Sequence, residues 1–136
     1  GRVGAQVEAG ITVPIGQEVG HHIQNLNGRF LYLSQRVLHA PHQRADLIRR
    51  FELQADCLAG VWIHASEAWA NSAHFREQML GVLKSVGDEA ILKDQPTEAL
   101  ARIGVHGTST QRTHWFKVGV ESGDLDACNT FSVAQP

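Results

Sequence analysis

The sequence predicts a mainly α, single-domain protein, and three observations carry that expectation. From Ala45 onward, Leu47, Ile48, Phe51, Ala55, Leu58, Ala59 and Trp62 recur at three- and four-residue intervals, the period of an amphipathic helix. No segment alternates apolar and polar residues long enough to read as a strand. The apolar runs are separated by helix punctuation such as Asn27-Gly28 and Gly107-Thr108-Ser109. A chain of 136 residues with 43% hydrophobic content can bury one core, so residues 1–136 are expected to form one domain.

Taken in order, a first helix is expected from about Pro14 to Asn25, because proline is tolerated at a first helical position and Asn27-Gly28 supplies a stop. Residues 29–43, with Arg29, Ser34 and Pro41 among apolar residues, read as a turn and connection with some helical character. The second helix is expected from Ala45 to at least Ala65. Residues 74–103 read as two or three short helices carrying Phe75, Met79, Leu83, Ile91, Leu100 and Ile103, interrupted at Gly87-Asp88 and Gln95-Pro96. A last helix starts after His106-Gly107, with Thr108 or Ser109 as its N-cap. Trp62, Trp69, Trp115 and Phe116 fall at helical spacing and read as core, while His39, His42, His64, His74 and His114 read as surface.

A formal charge of -2 gives no pull toward nucleic acid. No run of about 18 apolar residues is present, so no membrane span is expected in this chain. The chain starts at Gly1 and is expected to be a fragment of a longer parent. Cys57 and Cys128 fit one disulfide or two buried thiols, and their count leaves the compartment open.

Chemistry is concentrated in two short stretches. In Gly16-Gln17-Glu18-Val19-Gly20-His21-His22, Gln17 and His21 hold the two positions that a metallopeptidase helix of the H-E-x-x-H type fills with histidines. Four residues apart, such imidazoles leave one helix face and close on one metal, with the glutamate as general base. Glu18 occupies that glutamate position. His22 lies about 100 degrees further round and cannot simply replace the missing imidazole. The second stretch, Phe51-Glu52-Leu53-Gln54-Ala55-Asp56-Cys57, places Glu52 and Asp56 one turn apart. Where a glutamate is the third zinc ligand, a second helix supplies it, and an aspartate one turn later orients a ligand histidine. Asp56 could equally pair with an arginine, and Glu52 could belong to a solvated face.

With QEVGHHIQN at 17–25, FELQADCLAGVW at 51–62, HGTSTQRTHWF at 106–116 and Cys128-Asn129-Thr130-Phe131, the chain resembles the neutral zinc metallopeptidase family of bacteria. Its members read approximately HEVGHHVQN, LELQADCLAGVW and HGTSAQRxxWF, followed by a late cysteine. The resemblance implies a zincin-like domain of the gluzincin kind, represented here by its C-terminal helical portion without the upstream sheet. It implies Glu18 as general base, His21 and Glu52 as zinc ligands, Asp56 behind them, and a Cys57–Cys128 disulfide. His106 would either donate to a developing oxyanion or serve the loop as a cap. A peptide or protein substrate, a membrane-anchored parent and an extracytoplasmic location follow from the same resemblance; the oligomeric state does not.

Gln17 departs from the pattern at a ligand position, and Pro14 and Gly16 are expected to weaken the helix ahead of it. A neutral amide is a poor zinc donor, so zinc binding is expected to be weak or absent unless His22 or His106 turns onto the metal. Two functions remain open: an impaired peptidase, or a non-enzymatic member that binds a peptide or partner.

Overall fold

The computed structural model describes the backbone of residues 2–136 and the side chains of residues 8–100 and 104–136. Among the described residues there are helices and no strand, as expected. The axis of the fold is α3 (Arg44–His64), in which every residue from 53 to 60 is buried. A helix covered on one face would bury only a stripe. Here α1 (Arg2–Leu26) and α8 (Ser109–Ser122) cover opposite sides of it, and α5 (Ala73–Ser85) packs against α1 and α8, adding Phe75, Met79 and Leu83 to the core beside Ile63.

The first helix begins far upstream of Pro14, which corrects the expected start. Pro14 cannot donate to the Gly10 carbonyl. Both residues are exposed, so water can take that carbonyl and the helix runs through. What holds α1 is its inner stripe of Ala9, Val13, Gly16, Gly20 and Gln24, all buried. Gly16 and Gly20 are therefore the contact surface rather than a weakness. A Cβ on Gly20 would run into the carbonyl oxygen of Ala55, and one on Gly16 would lie 3.2 Å from the Ala59 methyl. The same device recurs across α8, where a Cβ on Gly119 would strike the Cys57 carbonyl.

Residues 29–43 are more regular than expected: α2 (Arg29–His39) precedes a 3-10 turn at Pro41–Gln43. No residue of α2 is fully buried, although Phe30 packs on Phe51 of α3 with ring centroids 4.8 Å apart. Gly28, at φ 71, separates it from α1, and Pro41 stops it. The central helix ends at His64, one residue short of expectation. Beyond it lie α4 (Glu67–Asn71), which the sequence did not signal, then α5, α6 (Asp88–Ile91) and α7 (Thr97–Ile103). Ser66 and Ser72 cap α4 and α5 through side-chain oxygens. The Ile103 side chain lies outside the described residues. Thr108 is the N-cap of α8, in a reciprocal capping box with Gln111.

Phe116 and Trp115 are buried core residues, and Trp69 packs edge-on against Phe116. Trp62 departs from expectation at 43% exposed, because one ring face covers Gly16 while the other meets solvent. The expected disulfide is present: Cys57 and Cys128 are bonded with Cα atoms 5.6 Å apart and 71 residues of separation. Cross-linking a loop of that length stabilises by about 4 kcal/mol on chain-entropy grounds. Arg50 pins the tail beyond it by donating to the carbonyls of Thr130, Val133 and Ala134. No described helix is long and apolar enough to cross a membrane.

The close crossing predicts that Gly20→Ala lowers unfolding free energy by about 1–3 kcal/mol, since neighbouring backbone must move. Gly81→Ala, in the exposed middle of α5 with nothing within 4 Å of the new methyl, gains about 0.5–1 kcal/mol instead. Urea unfolding monitored by circular dichroism separates the two signs.

Candidate functional site

At the α1–α3 crossing the structure brings together three of the residues singled out in the sequence. His21 Nε2 lies 3.1 Å from Glu52 Oε2, and the Gln17 amide donates to the same oxygen at 3.3 Å. Gln17 and His21 are one turn apart on α1, so both face α3 where Gly20 lets the helices touch. The His21 ring stacks on Phe51 with centroids 5.4 Å apart and places Nδ1 2.9 Å from Gln24 Oε1. The hydrogen bond to Glu52 raises the His21 pKa above its ordinary 6.5 despite the opposing effect of burial.

Glu18 and His22 lie elsewhere on the helix. Both are exposed and line a shallow apolar groove with Pro14, Ile15 and Val19. Glu18 is near enough for its charge to favour protonated His21. His22 is not turned toward Glu52; the two α1 side chains bonded there are Gln17 and His21.

Asp56 takes the second of its two expected roles. Both its oxygens accept from Arg112, at 2.8 and 3.0 Å, and it makes no bond to a histidine. Burial pushes the Asp56 carboxyl up against the pull of Arg112. Arg112 in turn resists burial through Asp56, and its pKa is raised. With a further bond from Arg112 to the Val86 carbonyl, the pair locks α8 to α3 and to the end of α5.

His106 stands half-exposed in the loop before α8, 3.9 Å from Asp88. That loop is shaped by α6: Asp88 accepts from the Gly107 amide, and Glu89 accepts from the Ser109 amide. His106 has Asp88 as its nearest charged partner, and it makes no hydrogen bond to His21 or Glu52.

Sequence reasoning missed Gln24, Gln54 and Arg112. Gln24 sits three residues after His21, the spacing at which helical side chains meet, and that spacing was a usable signal. Nothing local distinguishes Gln54 or Arg112, whose partners are 74 and 56 residues away.

As a metal site the donor set is incomplete. One imidazole nitrogen, one carboxylate and one neutral amide converge, whereas a catalytic zinc is held by three strong protein donors. No group of three or more His, Cys, Asp or Glu side chains able to hold a metal occurs among the described residues. The residues present therefore do not fit a catalytic zinc.

Against known proteins, residues 1–131 match the family described as "Putative neutral zinc metallopeptidase". The chain belongs to that family. It is 38% identical over 121 residues to "Uncharacterized protein YpfJ" of Escherichia coli K12, covering 86% of this chain and 42% of the relative. It is 34% identical over 131 residues to "Uncharacterized protein Rv2575" of Mycobacterium tuberculosis, covering 88% of this chain and 43% of the relative. The chain thus spans less than half the length of these curated relatives. No solved structure matches it. The mainly α architecture is the zincin-like helical domain of this family, and zinc is the metal the family name implies.

Two outcomes follow. Asp56→Ala leaves the Arg112 guanidinium buried without a counter-charge and should cost about 3–5 kcal/mol in denaturant unfolding. Glu89 has a lowered pKa: burial acts the other way, but the bonds from Ser109 prevail. Its stabilising contribution is then complete above the ordinary value of 4.5 and is lost as pH falls through the lower folded value. Glu89→Gln should cost roughly 0.3–1 kcal/mol at pH 7, the range for an acid at a helix N-terminus, and nothing at pH 2. Paired unfolding curves at the two pH values check this.

Proposed function

We propose that the chain is a zinc-peptidase-type domain disabled at residue 17, keeping its crossing-helix pocket to hold a peptide or protein partner without hydrolysing it. One observation carries this reading: the Gln17 amide donates to the Glu52 oxygen that His21 also contacts, where a second imidazole would otherwise face a metal. A glutamate ligand needs a cation. Here an amide hydrogen and the His21 ring meet that need, and the amide adds no strong donor nitrogen.

Glu18 keeps the exposure a general base needs. It has little to deprotonate, because water that no metal activates keeps its proton. The groove beside Glu18, lined by Pro14, Ile15 and Val19, offers apolar contact to an extended peptide. A disulfide joining α3 to the tail favours an oxidising, extracytoplasmic setting. The weak net charge of -2 favours protein over nucleic acid as the partner.

The test compares the native chain with Gln17→His, measuring bound zinc after dialysis and cleavage of an unfolded protein. The native chain should hold well under one zinc and bind the unfolded protein uncut. Gln17→His should bind zinc at least about 100-fold tighter, exceeding the loss typical of groups behind the ligands. Near-stoichiometric zinc in the native chain, with cleavage abolished by Glu18→Gln, would overturn the proposal. Failure of Gln17→His to gain zinc would remove the pocket's link to a metal site.

A further inference from the structure

Two buried glutamines stand between His21 and the disulfide-bonded tail, and their amide orientations are not free. Gln54, 5% exposed, donates from Nε2 to the Cys128 main-chain carbonyl at 3.0 Å. A carbonyl only accepts, so Gln54 must present its nitrogen there and its oxygen toward Gln24. Gln24 is fully buried and donates to the Phe51 carbonyl at 2.8 Å and to Gln54 Oε1 at 2.9 Å. Those two bonds use both hydrogens of its amide. Turning the Gln24 amide over would set its oxygen against two acceptors and leave both unsatisfied in a buried position, at the full cost of desolvation. The remaining oxygen faces His21 Nδ1 at 2.9 Å, and an acceptor there demands a proton on that nitrogen.

We propose that Gln24 is a positioning residue: its oxygen accepts from the Nδ1 proton of His21 and so holds the ring with Nε2 turned toward Glu52. The orientation is set directly by the Phe51 carbonyl and supported by the disulfide-anchored Cys128 carbonyl through Gln54. In a histidine ring, the bond made by one nitrogen decides what the other can do. Gln24 fills the orienting place that Asp56, committed to Arg112, leaves vacant. The stacking of the ring on Phe51 restricts its swing, while the amide settles which nitrogen is which. This inference goes beyond the proposed function and holds whether or not the native chain binds zinc.

The experiment is nitrogen and proton NMR of the full chain labelled at histidine, kept metal-free with a chelator, with the His21 signals assigned by their absence in His21→Asn. The native spectrum should show a hydrogen-bonded Nδ1 proton protected from exchange. Gln24→Met, similar in shape but without the acceptor, should exchange that proton roughly fivefold faster or more, the factor an ordinary hydrogen bond supplies. Gln54→Met should change it much less, because the Phe51 carbonyl still holds the Gln24 amide. A purely structural Gln24 would leave the site of protonation unchanged in every variant. An Nδ1 without a proton in the native chain overturns the proposal even if a variant does not fold. An unchanged Nδ1 signal in folded Gln24→Met also overturns it.

Discussion

The candidate site depends on the absence of a side chain at residue 20. Gly20 lets the backbone of α1 rest on the Ala55 carbonyl of α3, closer than any Cβ would allow. At that separation the short reach of an imidazole and a glutamate suffices to bring His21 and Glu52 to 3.1 Å. A crossing held apart by larger side chains would leave these groups to separate solvation. Backbone approach of this kind is typical where helices cross on small residues and side chains interlock around the contact. Gly119 plays the corresponding part on the other flank of α3, so the central helix is gripped from two sides at van der Waals distance.

Gripping a helix this way buries whatever it carries, and α3 carries Gln54 and Asp56 at positions that would otherwise be wet. Buried polar groups are costly unless bonded. Each is met from afar: Asp56 by Arg112 of α8, Gln54 by Gln24 of α1 and by the tail at Cys128. The same residues that satisfy α3 also tie its neighbours in place. This makes the polar interior a framework of specific pairs, and the site at Glu52 lies at its edge, where burial is only partial.

Much of this was legible in the residues themselves. The helical period from Leu47 to Trp62, the cap at Thr108, and the stop at Asn27-Gly28 follow from local preferences that act within one turn. The pairing of residue 21 with residue 52 was readable because ligand chemistry imposes known spacings on two separate helices. The misreadings share a cause. Pro14 and Gly16 look like helix breakers when judged by propensity, yet packing along Ala9, Val13 and Gly20 outweighs a cost that falls on the solvent side. Trp62 has the period of a core residue and sits where α1 covers only one of its faces.

By itself the amino-acid sequence determined the helical class, the family, the two stretches that face one another and the odd amide at residue 17, because each is written in side-chain identity at short range. Only the tertiary structure decided who bonds to whom among the buried polar groups. Asp56 could have oriented a histidine or met an arginine; the choice fell to Arg112 because α8 crosses α3 at Gly119 and delivers the guanidinium there. The orienting contact passed to Gln24 because the Phe51 carbonyl of α3, and the Cys128 carbonyl acting through Gln54, hold its amide with the oxygen toward His21. Such assignments depend on distances set by the whole chain, which no local pattern encodes.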